Sequence, residues 1–227
     1  GHDAMKVNTT GADNVAIGKD ALDANTTAHS NTAIGTNSLS GNTTGADNVA
    51  VGLSSLYTNT TGASNTALGK AALFANTTGN ANVAIGAIAG DAITTGDNNT
   101  AVGTGALSTA TTADNNTAVG RDTLRLNTSG NHNVAVGWTT LDANTTGATN
   151  TAIGAESLSA NTTGGDNVAV GFDALRQATT GSSNVAVGRS ALDANTTASN
   201  NTAVGHYAMV TNTTGHSQVA FGFGALD

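Results

Sequence analysis

From Asn14 onward, large apolar, small and polar residues return in one fixed order every seventeen positions. The Asn that opens each cycle stands at 14, 31, 48, 65, 82, 99, 116, 133, 150, 167, 184 and 201, with Gln218 in the same place, so the period runs through thirteen copies without an insertion. A short fixed period identifies a solenoid or fibre, in which each repeat is one coil and depends on its neighbours for a core.

Counting the cycle from this Asn, position 3 is Ala and position 5 is Gly in every copy. Position 4 is a large apolar residue (Ile17, Val51, Leu68, Val136, Phe221), and position 2 is Val or Thr. Positions 2 to 4 therefore predict a short β-strand stopped by a Gly whose conformation other residues resist. Strand side chains alternate, so positions 2 and 4 face one way and Ala the other. Both faces are apolar, and a strand apolar on both faces is buried on both. One thin coil cannot supply two cores, so the pattern predicts association. The Ala column, which permits close approach, is favoured as the face toward a neighbouring chain, with the opposite assignment left open. Position 9 is Leu in all copies but two, Gly90 and Met209, and is expected to close the coil over position 2 or 4. Positions 12 to 15 read N-T-T-G and predict a corner or the end of a second strand. Coils stacked about 4.8 Å apart would align these Asn and Thr side chains into ladders along the axis.

A longer period overlies the short one. Position 15 changes from Gly to Ala at Ala28, Ala113 and Ala198, and position 6 is large and apolar at Leu53, Trp138 and Phe223, both sets five coils apart. A five-coil block was duplicated.

Composition and charge narrow the chemistry. There is no Cys and no Pro, only 10% of residues are charged, and the formal net charge is -8. Seven Lys and Arg in all are too few for the clustered cations that phosphate binding needs, so nucleic acid is not an expected partner. No apolar run is long enough to span a membrane, so no membrane insertion is expected. After Lys6 the charged residues fall only at positions 6, 7, 10, 16 and 17, which marks these as the solvent surface. Residues 1–6 look like a cloning remnant, and 7–227 read as a single repetitive array, a piece of a longer fibre.

The strand N-V-A-I-G at Asn14 to Gly18, with N-T-A-I-G at Asn31 to Gly35 and N-V-A-V-G at Asn48 to Gly52, resembles the head repeats of trimeric autotransporter adhesins. The full cycle at Asn31 to Asp47 is similar to the longer repeats of phage tail-fibre shafts. The resemblance covers essentially Val7 to Asp227 and implies an all-β fold, a left-handed parallel β-roll of about thirteen coils intertwined or packed as a parallel homotrimer. It further implies a place outside the cell, on a cell or virion surface. The cycle is longer than that of the adhesin head, and no sustained apolar heptads of a stalk are present.

Catalytic, cofactor and metal sites are expected to be absent. His29, His132, His206 and His216 lie on the solvent positions with no two at one position of adjacent coils, the acids at Asp13, Asp47 and Asp166 are not on neighbouring coils, and the Ser and Thr residues have no base at a repeating offset. The leading expectation is a non-enzymatic structural or adhesive fibre segment, a rigid trimeric shaft or head whose partner is itself. A contact stripe of Leu53, Trp138, Phe172, Tyr207 and Phe223 is the candidate surface for a host-surface glycan or matrix protein. The alternative is an ice-binding solenoid, with Asn25, Thr27, Asn42, Thr44, Asn59, Thr61, Asn76 and Thr78 as its outward ladder.

Overall fold

The computed structural model describes residues 1–227. The chain is an all-β parallel β-solenoid with one three-residue strand per coil and no helix. It forms two compact units, Gly1–Asp114 and Asn115–Asp227. The first holds β1 (Val15–Ile17), β2 (Thr32–Ile34), β3 (Val49–Val51), β4 (Thr66–Leu68), β5 (Val83–Ile85) and β6 (Thr100–Val102). The second holds β7 (Thr117–Val119), β8 (Val134–Val136), β9 (Thr151–Ile153), β10 (Val168–Val170), β11 (Val185–Val187), β12 (Thr202–Val204) and β13 (Val219–Phe221). Within each unit every strand pairs in parallel with the next, in a register that sets Ala on Ala, as in Ala16↔Ala33 and Ala135↔Ala152.

Hydrogen bonding continues far beyond the strands. Around one coil, Val49 N–H donates to Asn65 O, Leu56 to Ala72 O, Thr58 to Phe74 O and Thr60 to Thr77 O, while Gly52 donates to Ile34 O and Ser54 to Thr36 O. Alternate backbone groups thus bond up and down the axis at nearly every side of the coil, which answers for polar groups that a three-residue strand would leave open. The N-T-T-G segment forms a bend; there is no second strand. Besides the Gly of position 5, three positions per coil, 7, 9 and 17, have positive φ, among them Asp20, Leu22 and Ser30.

The strand faces are the reverse of the favoured assignment. The Ala column points into the coil, with Ala33, Ala50, Ala67, Ala135 and Ala152 fully buried, while positions 2 and 4 point out. The Leu of position 9 lies on the same interior, so it closes the coil over Ala rather than over position 2 or 4. The reason is volume. The interior already holds Leu, a small residue at position 8 and two buried Asn, and against that filling only a methyl group fits from the strand.

Those two Asn are the polar half of the core. Asn48 N–H donates to Asn31 Oδ1 (2.9 Å), its amide donates to Gly62 O (2.9 Å), and its own Oδ1 accepts from Asn65 N–H (2.9 Å). At position 12 the amide of Asn59 donates to Asn42 Oδ1 (2.8 Å) and to that same Gly62 O (2.9 Å). A carboxamide carries both donors and an acceptor, so it can be passed from rung to rung indefinitely. The ladder at position 12 ends where the sequence breaks it. Asn76 Oδ1 faces the coil of Ile93, Asn161 Oδ1 faces that of Ala178, and neither has a partner. Ala at position 15 also disturbs it: beside Ala28 the step from Asn42 to Asn25 is stretched to 3.4 Å, and beside Ala198 the Oδ1 of Asn195 has no partner. The five-coil period is therefore a physical feature of the core.

Two exceptions in the sequence explain each other. A Cβ added to Gly90 would sit 3.0 Å from Ile93 Cδ1 and 3.2 Å from Leu73 Cδ2, so Ile93 occupies the space that the missing Leu leaves. Gly90→Leu alone is expected to overpack and destabilise by about 1–3 kcal/mol. Gly90→Leu with Ile93→Asn restores the ordinary coil and gives Asn76 a donor, so urea titration should find the double variant more stable than the sum of the singles.

Residues 1–6, set apart above as a remnant, follow the same path as the coils. Asp3 and Met5 have the positive φ of positions 7 and 9, and Met5 N–H donates to Ala21 O as Leu22 does to Ser38 O. Gly1 to Met5 read G-H-D-A-M against G-H-Y-A-M at Gly205 to Met209.

Candidate functional surface

Because each strand has only three residues and its middle one faces inward, every coil leaves two strand side chains on the outside. In the first unit these are Val15, Thr32, Val49, Thr66, Val83 and Thr100 beside Ile17, Ile34, Val51, Leu68, Ile85 and Val102. The second unit repeats the arrangement, with Val134 beside Val136 and Thr151 beside Ile153. None of these outward residues is charged, and many are exposed, Ile17 at 57% and Leu68 at 46% among them. Each unit thus carries two adjacent uncharged columns on its surface, Val or Thr at position 2 beside a large apolar residue at position 4.

The contact stripe expected from the sequence is exposed at all five residues: Leu53, Trp138, Phe172, Tyr207 and Phe223. It is brought together only in part. Tyr207 and Phe223 lie 6.4 Å apart with His206 between them, stacked on Tyr207 at 4.0 Å and edge-on to Phe223 at 5.5 Å. Phe172 lies under the Arg189 guanidinium at 5.4 Å. Leu53 lies in the first unit, apart from these rings. Sequence reading missed another aromatic pair, Tyr57 stacked on Phe74 at 5.2 Å. Both are at position 10 of consecutive coils, which is the signal that could have found them.

The Asn/Thr ladder expected for ice binding does not form one surface. Thr27, Thr44, Thr61 and Thr78 are exposed, but Asn25, Asn42, Asn59 and Asn76 are fully buried in the core ladder. Two outward columns are therefore supplied by positions 2 and 4, not by positions 12 and 14.

Position 16, read as solvent surface, has a bonding role. Where it is polar, its side chain can accept the backbone N–H of position 16 one coil back, as Asn80 does from Ala63 (3.0 Å), Asp97 from Asn80 (2.6 Å) and Asp114 from Asp97 (2.7 Å). The imidazoles of His29 and His216 do the same through Nδ1, from Ala12 (3.0 Å) and Ser199 (2.9 Å). Ion pairs run along position 10, Arg125 to Asp142 at 2.9 Å and Arg176 to Asp193 at 3.0 Å. The hydrogen bond and charge of Asp142 hold the Arg125 guanidinium above its ordinary range, as Asp193 does for Arg176. His2, Asp3 and Asp20 place one ligand-type atom each within 4.8 Å of one another, with His2 exposed and its Nδ1 2.9 Å from Asp3.

Asp91 is the least comfortable acid. Burial pushes its carboxyl above the ordinary carboxylate range, and its Oδ1 has no hydrogen-bond partner. The folded state thus holds the proton more tightly than the unfolded chain, so stability from this group is present at low pH and is lost as pH rises through the folded value. Asp91→Asn is expected to raise the urea midpoint at pH 7, and the gain should shrink as pH falls and the carboxyl is protonated.

No cavity opens on the surface, and no helix is long and apolar enough to cross a membrane. Compared with protein-family models, curated proteins and solved structures, the chain matches none.

Proposed function

We propose that the chain is a non-enzymatic fibre segment, a rigid shaft or head that assembles with two further copies in parallel through its outward strand faces. The observation that carries this reading is the uncharged apolar surface of positions 2 and 4, left open in both units. Burying such side chains is worth about 25 cal/mol per Å². In that assembly the roll is left-handed, as in the adhesin and tail-fibre repeats that the sequence resembles, and the fibre works at a cell or virion surface. Stiffness comes from the backbone bonds and Asn ladders that tie each coil to the next within a unit. The test is mass in solution. Light scattering should give three times 22.0 kDa, and Val136→Lys with Ile153→Lys should yield a folded single chain. A wild-type mass of 22.0 kDa overturns the trimer.

A second reading is favoured by the same face. Positions 2 and 4 form two columns of methyl-bearing side chains, with hydroxyls on alternate rungs at Thr32, Thr66 and Thr100. Left unpaired, such a face orders water, and the chain is an ice-binding solenoid. A single-chain mass together with thermal hysteresis that Thr66→Lys abolishes selects this reading.

A further inference from the structure

Position 6 lies just past the Gly that stops each strand, outside the strand faces used above. In the first unit its occupants after His2 are Lys19, Thr36, Leu53, Lys70, Ala87 and Thr104, with no ring among those six. In the second unit Trp138, Phe172 and His206 are spaced 34 residues apart, two coils each, and all three are exposed. Tyr207 and Phe223 gather around His206 to make the third ring a cluster. Between the rings stand Ala155, too small to obstruct, and Arg189, whose guanidinium lies over Phe172.

We propose that this row is a binding site for an extended neutral polysaccharide of β-1,4-linked pyranose units, lying along the coil axis. Three features select that chemistry. Two coils span about 9.6 Å, close to one disaccharide of such a chain, in which every second sugar presents the same face. An aromatic ring offers an apolar surface to the C–H face of an all-equatorial sugar. Partners for sugar hydroxyls stand beside the rings, with Thr139 after Trp138, Glu156 after Ala155 and Asp173 after Phe172. Charge points the same way. Glu156 and Asp173 offset Arg189 locally, and a net charge of -8 repels a polyanion, so the complementary ligand is uncharged. The site does not depend on self-association, because the rings lie outside the strands.

The experiment is isothermal titration of the full chain with cellohexaose, with maltohexaose as the α-linked control. Cellohexaose is expected to bind, and maltohexaose, whose curved chain cannot meet rings in a row, is not. Trp138→Ala and Phe172→Ala should each weaken cellohexaose at least tenfold, while Lys70→Ala, in the other unit, leaves it unchanged; circular dichroism confirms that the variants keep the fold. Absence of cellohexaose binding, equal binding of maltohexaose, or affinity unmoved in the Trp138→Ala/Phe172→Ala double variant overturns the proposal. Light scattering on the same samples reports the trimer separately, so either reading can fall without the other.

Discussion

Gly69→Ala should cost a large part of the stability of the first unit. Gly69 has φ +139°, a region that side-chain-bearing residues rarely adopt, and a Cβ there would lie 2.4 Å from Gly86 O and 2.6 Å from Gly86 C. Neither obstacle is a side chain that can rotate away. Gly86 N–H is bonded to Leu68 O at 2.8 Å, and Gly69 N–H to Val51 O at 2.8 Å, so relief of the contact means separating coils that are tied together. The backbone conformation alone costs about 1–3 kcal/mol. Forcing packed atoms apart adds about 1–3 kcal/mol more, a large part of the 5–15 kcal/mol typical of a folded domain. Gly222→Ala is the matched control, because Gly222 has φ +118° and nothing within 4 Å of its added Cβ. Urea titration should find Gly69→Ala much the worse of the two. Equal losses would mean that backbone conformation, not the approach of the next coil, requires this glycine.

The glycine column was legible because only one property, the lack of a side chain, fits the observation that it never varies. The strand at positions 2 to 4 was legible for a similar reason: branched residues in fixed columns permit little else. Which face turned inward was not. Alternation says only that Ala opposes its neighbours, and the decision belongs to the volume of an interior already filled by Leu and Asn from distant parts of the cycle. The corners were hidden more deeply. Asp20, Asn37 and Asn98 are residue types that accept positive φ, but Leu22, Ile88 and Thr139 are not, and they adopt it because neighbouring coils impose the same path. Ile93 and Gly90 depart from their columns in the same coil, and only the packing of Ile93 into the space beside Gly90 accounts for both. Position 16 was read as solvated because charged residues fall there; what its polar occupants share is an acceptor atom, in His29, Asn80, Asp97 and Ser199 alike. Of the candidate surface, the exposure of Trp138 and Phe172 followed from the charged residues sharing their column. The open apolar face followed only once Ala was placed inside.

Asn144→Asp should be far more damaging than Asn144→Ala, although it is the smaller change in shape. The Asn144 amide donates to Asn127 Oδ1 at 2.8 Å and to Gly147 O at 2.9 Å, and its Oδ1 accepts from Asn161 at 2.8 Å, all without exposure to water. A carboxylate has no donor, so it turns an oxygen toward two acceptors in a dry interior. An uncompensated buried charge costs about 3–5 kcal/mol. Alanine removes the charge problem and leaves Asn127 Oδ1 without this donor, a loss of about 1–3 kcal/mol. The column already tolerates that at Ala178, where Asn161 Oδ1 has no partner. Desolvation raises the pKa of the introduced acid in the folded state, so its stability is greatest at low pH and falls as pH rises through the folded value. Urea midpoints should therefore place Asn144→Asp well below Asn144→Ala at pH 7 and bring the two together as the acid is protonated. Midpoints for the two variants that coincide at every pH would show that position 12 tolerates a charge and that the ladder is not what specifies asparagine there. A pH-dependent gap would make the carboxamide ladder, rather than the aliphatic half of the core, the element that fixes one coil upon the next.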